Sequence, residues 1–121
     1  MKDIDIIDQF LDDREFRNYI ASNLEKFGYT EITIDDARIS DSNKKNDNDL
    51  LGKKGKKTYT IQTFLNKDIN ENHIKETIKD MEKEHTSYGI IVTNKEVSKE
   101  IKQKAKENGI DIIDRNKIKS L

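Results

Sequence analysis

The chain has 121 residues, of which 39% are charged and 32% hydrophobic, and its formal net charge is -1. That length suits one domain with a lean core, and the near-neutral balance excludes the global positive field that marks many nucleic-acid-binding proteins. The absence of cysteine excludes a disulfide frame, a thiolate nucleophile and a Cys-based zinc site. Acids stand where a secretory signal would be basic, and no apolar run reaches membrane length, so a cytoplasmic protein with no membrane contact is expected. The charge is nevertheless patterned: Lys44, Lys45, Lys53, Lys54, Lys56 and Lys57 crowd the centre, while Asp3, Asp5, Asp8, Asp12 and Asp13 make the N-terminus acidic.

In chain order, Ile4, Ile6, Ile7, Phe10 and Leu11 predict a short helix or docking arm within residues 1–12, ahead of the body of a single domain spanning 1–121. Asp12 or Asp13 can cap the first long helix, where acids suit the helix dipole. Phe16, Ile20, Leu24 and Phe27, with Tyr19 beside them, mark its buried face, and Gly28 ends it. Thr30 to Ile34 reads as a strand with Ile32 and Ile34 on one face. Asp35 to Asn48 is polar and reads as a loop, with Ala37 and Ile39 as its apolar anchors.

A hairpin follows, its turn assigned to Gly52 and Gly55. Its second strand alternates Tyr59, Ile61, Thr63 and Leu65 on one face with Thr60, Gln62 and Phe64 on the other. Asn70 can cap a helix striped by Ile74, Ile78 and Met81. Tyr88 to Thr93 is a continuous apolar run, expected of a strand covered on both faces. Asn94 is expected to cap the next helix, striped by Val97, Ile101 and Ala105 and ended by Asn108-Gly109. Ile110 to Ile113 is a last strand, after which Asp114 caps a final turn burying Ile118 and Leu121. The order α-β-β-β-α-β-α-β-α puts antiparallel strands before a βαβ crossover. It predicts an α/β fold, a mixed sheet of about five strands flanked by helices.

Several pieces taken together carry a resemblance. They are Phe16 followed at helical length by Phe27-Gly28-Tyr29, then Asn46-Asp-Asn-Asp49-Leu, then Ile61-Gln-Thr-Phe64. The back half adds Tyr88-Gly-Ile-Ile-Val-Thr93 and Gly109-Ile-Asp-Ile-Ile-Asp114. From Phe16 to Leu121 the chain resembles the Mrr-like type IV restriction endonucleases, a branch of the PD-(D/E)xK nuclease superfamily, and the resemblance implies a restriction-endonuclease-like fold.

The resemblance also implies a site. Asp49 matches the metal-binding aspartate, Gln62 the second ligand position, and Phe64 the catalytic lysine. Asn46 and Asn48 replace glycines usual before the aspartate, and Arg17, with Glu15 nearby, falls where many members carry a glutamate. Mg²⁺, the implied cofactor of an active member, would neutralise the scissile phosphate and activate water. A preorganised contact such as the lysine's is worth about 3–4 kcal/mol, or roughly 10²–10³ in rate, and a phenyl ring supplies none of it.

The expected function is therefore a domain that binds DNA with cleavage weak or lost. One alternative is an active Mg²⁺-dependent endonuclease using a relocated lysine, Lys67 or Lys75. Another is a protein-interaction scaffold, with a protein partner or a second copy and no nucleic acid. Lys53, Lys54, Lys56 and Lys57 read as phosphate contacts or as a solvated hairpin tip. Asp49 by itself reads as a turn acid, Phe64 as core filler, and His73, His85, Glu76 and Glu82 as surface residues.

Overall fold

The computed structural model describes residues 12–34 and 50–119. The N-terminal arm, the loop carrying Ala37 and Ile39, Asp49 and Leu121 lie outside the described residues. The elements are α1 (Asp13–Asn23), a 3-10 turn (Leu24–Phe27), β1 (Thr30–Ile34), β2 (Leu50–Lys54), β3 (Lys57–Phe64), α2 (Glu71–Glu84), β4 (Tyr88–Thr93), α3 (Lys99–Glu107), β5 (Ile110–Ile113) and α4 (Arg115–Lys119). The five strands form one sheet in the order β1-β2-β3-β4-β5. β1, β2 and β3 are antiparallel neighbours, whereas β3, β4 and β5 run parallel. This is the mixed α/β architecture that the element order implies.

Capping residues set where the helices begin. Asp12 accepts from the Glu15 amide at 2.8 Å to start α1, and Gly28, at φ +94°, stops the 3-10 turn in the left-handed region. Asn70 accepts from the Asn72 amide at 2.9 Å, while the Asn70 amide donates to His73 Nδ1 at 3.0 Å, closing a reciprocal capping box on α2. Asp114 accepts from the Lys117 amide at 3.1 Å to start α4.

Two expectations about turns and caps differ. Gly52 lies inside β2, opposite Tyr59, and the tight turn falls on Gly55 and Lys56 between the paired Lys54 and Lys57. Gly52 sits at a close approach: a Cβ there would lie 2.6 Å from Ile32 Cδ1 and 3.1 Å from Ile61 Cδ1, and the Ile32 side chain would have to shift. Ser98 rather than Asn94 caps α3, accepting from the Ile101 amide at 3.2 Å. Asn94 instead pairs with Asn66: its Oδ1 accepts from the Asn66 amide at 2.7 Å and its Nδ2 donates to Asn66 Oδ1 at 2.9 Å.

The sheet has a core on each side. On one face Phe16, Ile20 and Leu24 pack against Leu50, Tyr59, Ile61, Leu65, Ile90 and Val92. On the other, Phe64, Ile91 and Ile110 pack against Ile74, Met81 and Ala105. Because side chains alternate along a strand, Thr60, Gln62 and Phe64 of β3 face α2. That places the candidate site residues of β3 under a helix, away from α1.

Candidate metal and nucleic-acid site

Gln62 is the polar centre of the α2-facing side. Its Nε2 donates to Asp80 Oδ2 at 2.7 Å, and both side chains are more than nine-tenths buried. With Asp80 Oδ2 accepting, the NH₂ end of the amide faces the carboxyl group. The Gln62 carbonyl oxygen therefore lies on the other side of the amide group. Sequence reasoning passed over Asp80; its signal was a place bordering the α2 stripe, three residues after Thr77, which is itself fully buried.

Two residues further along β3, Phe64 is buried in the apolar cluster with Ile69, Ile74 and Ile91. Its ring meets the His73 imidazole at a centroid distance of 4.7 Å and an interplanar angle of 70°. His73 is thus not the plain surface residue expected, since the capping box and the ring contact hold it. Burial lowers its pKa from the ordinary histidine value, with Glu76 opposing and Lys67 reinforcing the shift. The Lys67 ammonium lies 5.9 Å from the Phe64 ring centroid, within cation–π reach.

Beyond Phe64 the parallel strands end at a polar cleft lined by Asn66, Asp68, Asn94, Lys95, Glu96 and Arg115. Open α/β sheets bind ligands outside the carboxyl ends of their strands, and here that crevice adjoins the Phe64 end of β3. The Asn66–Asn94 pair ties the two strand ends together, and the Arg115 amide donates to the Lys95 carbonyl at 3.1 Å.

Residues 9–121 match the family model Mrr_cat, described as restriction endonuclease. The chain belongs to this restriction endonuclease family. No curated protein and no solved structure matches it.

Within the Mrr_cat restriction endonuclease domain, the expected site residues separate. Gln62, Phe64 and Lys67 come together at the carboxyl end of β3. Asp49 lies outside the described residues, although Leu50, its neighbour in sequence, pairs with Ile61 beside Gln62. Glu15 and Arg17 sit on α1, which packs on the opposite face of the sheet. Lys75 lines a groove between α2 and α3 with Glu71, Ile78 and Lys104.

The hairpin lysines cluster at the amino end of β3. From Lys57 to Gln62 is five residues along a strand, about 17 Å at roughly 3.3 Å each. Three of the four lysines have contacts within the fold. Lys53 pairs with Glu31 at 3.3 Å. Lys54 lies 5.2 Å from the Tyr29 ring centroid and Lys57 lies 4.7 Å from that of Tyr88. Lys56 has no ion pair or ring contact among the described residues.

The donor chemistry near Gln62 suits a hard cation in kind. Mg²⁺ takes carboxylate and amide carbonyl oxygens and keeps several waters, and among the described residues the carboxylate beside Gln62 is that of Asp80, which accepts from its amide. No group of three or more His, Cys, Asp or Glu able to hold a metal occurs among the described residues. Nor, among them, is any helix long and apolar enough to cross a membrane.

Proposed function

We propose that this Mrr_cat domain binds DNA through the carboxyl end of β3 and the cleft beside it, with phosphodiester cleavage weak or lost. One observation carries the reading: the β3 position matched to the family's lysine holds Phe64, buried among Ile69, Ile74 and Ile91. A phenyl ring cannot donate to a developing phosphorane or position water, and losing one such contact costs about 3–4 kcal/mol of transition-state stabilisation. Asp49 and Gln62 would hold Mg²⁺, which when bound neutralises phosphate charge and activates water.

Phosphate contact is supported by cations at both ends of β3. Lys67, Lys95 and Arg115 surround the site end, and the hairpin lysines stand at the other end of β3, seven residues or about 23 Å from Phe64 at roughly 3.3 Å each, roughly seven base-pair steps of about 3.4 Å. Asp68 and Glu96 line the same cleft, so a modest affinity is expected. Fluorescence anisotropy with a labelled duplex, in EDTA at 50 and 200 mM salt, tests this. Binding that weakens at least tenfold with salt supports the reading, and none at low salt would leave a protein-interaction scaffold.

A second reading rests on Lys67. Its ammonium, 5.9 Å from the Phe64 ring centroid, stands beside the position matched to the lysine and could serve as a relocated one. Mg²⁺-dependent cleavage abolished by Lys67→Ala, with the fold intact, would establish that reading over the first.

A further inference from the structure

We propose that Asn94 is a positioning residue for Lys67: it holds Asn66 in the left-handed conformation that turns the chain after β3 and sets the Lys67 ammonium on the Phe64 side of the sheet, where it contacts a DNA phosphate. The inference rests on the reading that this end of β3 meets DNA, and it names how the fold delivers a cation there.

Strand geometry requires a turn at this point. Side chains alternate along a strand, so a β3 continued straight on would put Lys67 on the face of Thr63 and Leu65. Leu65 belongs to the cluster under α1, whereas Phe64 belongs to the cluster under α2. Yet the Lys67 ammonium lies 5.9 Å from the Phe64 ring centroid. Between Leu65 and Lys67 stands Asn66, at φ +58°. A single left-handed residue redirects the chain, and asparagine is among the few side chains that adopt that conformation routinely.

Asn94 supplies the grip. The β3–β4 ladder ends where Phe64 pairs with Thr93, and the Asn94 side chain takes over at the next step. Its Oδ1 accepts from the Asn66 amide at 2.7 Å, and its Nδ2 donates to Asn66 Oδ1 at 2.9 Å. Asn94 is 3% exposed, so water competes poorly for its side of both bonds. Thr93 adds a weaker tie, its Oγ1 donating to the Lys67 carbonyl at 3.5 Å. The turn is thus held from β4, and Lys67 follows from it.

The test uses the full chain and a labelled duplex, with anisotropy read in EDTA between 50 and 200 mM salt. Lys67→Ala is expected to reduce the log–log salt slope by about 0.9, the share of one phosphate contact. Asn94→Ala is expected to reduce it by as much, and the two together no further than either alone. Asn66→Gly added to Asn94→Ala is expected to restore the slope, because glycine takes positive φ without a grip. Asn66→Val, a β-branched residue at an exposed position, resists positive φ and is expected to repeat the loss. Without DNA, proton nuclear magnetic resonance reads the same arrangement. The Phe64 ring should shift the Lys67 Cε protons in wild type, less so in Asn94→Ala, and again once Asn66→Gly is added.

If Asn94→Ala does not fold, Asn94→Leu fills the volume without hydrogen bonding and is measured in its place. No duplex binding by wild type would overturn the DNA reading and this proposal with it. Binding in which Lys67→Ala keeps the wild-type slope overturns this proposal alone. So does an Asn94→Ala slope equal to that of wild type. A loss that Lys67→Ala deepens, or that Asn66→Gly fails to restore, overturns it as well, because Asn94 would then act by another route.

Discussion

The Phe64 ring meets the His73 imidazole nearly edge-on, with 4.7 Å between their centroids. The contact joins the end of β3 to the first turn of α2, so Phe64 serves packing at the position where the resemblance implies a lysine. Truncation should show this directly. Phe64→Ala is expected to lose about 3–5 kcal/mol of stability, read from urea unfolding. A loss below about 1 kcal/mol would mean that Phe64 is no part of the core.

Phe64→Lys introduces the residue type that the resemblance implies at this position. Its stem can lie along the apolar wall while the ammonium reaches toward the strand end. The variant is expected to melt at a lower temperature than wild type, because a cation replaces a ring in a mostly dry cluster. It is also expected to nick supercoiled plasmid in a Mg²⁺-dependent way where wild type does not. An assay after dialysis against EDTA and readdition of metal reads the dependence.

His73 makes stability depend on pH. Burial lowers its pKa below the ordinary histidine value, and its Nδ1 must be unprotonated to accept from the Asn70 amide. The unfolded chain therefore binds this proton more readily than the folded one. The contribution is present above the unfolded value of about 6.5 and is lost as pH falls through the lower folded value. The melting temperature should drop from pH 7.5 to pH 5.5, and His73→Asn should flatten that step.

Asp114 acts in a more acidic window. Burial pushes its pKa up, but the Lys102 ammonium at 2.8 Å and the backbone amides of Lys117 and Val97 outweigh burial and hold it below the ordinary value. Its stabilisation is present above about pH 4 and is lost as pH falls further. Asp114→Ala removes both a cap and a charge partner and should cost about 2 kcal/mol or more. Asp114→Asn, which keeps a cap acceptor, should cost less.

The hairpin lysines should divide by what they touch. Lys56→Ala is expected to leave the melting temperature unchanged and to reduce the log–log salt slope of DNA binding by about 0.9. Lys54→Ala removes a cation over Tyr29 and should cost about 0.5–1 kcal/mol as well. Equal slopes for wild type and Lys56→Ala would remove the hairpin tip from the DNA contact.

Much of the fold was legible because local signals agreed with the tertiary outcome. Asp12, Gly28, Asn70 and Asp114 mark element ends through their own hydrogen bonds or backbone freedom, and the run from Tyr88 to Thr93 proved covered on both faces. Gly52 was misread because a strand glycine crowded by Ile32 and Ile61 resembles a turn glycine locally. Asn94 was misread as a cap because its true partner, Asn66, is 28 residues away. Asp80 was passed over for the same reason: its place beside the α2 stripe is a weak local signal, and its partner Gln62 is 18 residues away on the strand beneath the helix. His73 could be read as a cap partner of Asn70 from spacing, but its contact with Phe64 required the packing of α2 on β3.

The proposed function, DNA contact kept and efficient cleavage lost at Phe64, stands or falls on one assay. The most direct measurement is incubation of supercoiled plasmid with stoichiometric wild-type protein and Mg²⁺ or Mn²⁺, under salt conditions where anisotropy shows binding. Bound but uncut plasmid is expected over hours. Nicking or linearisation that Asp49→Ala abolishes would contradict it.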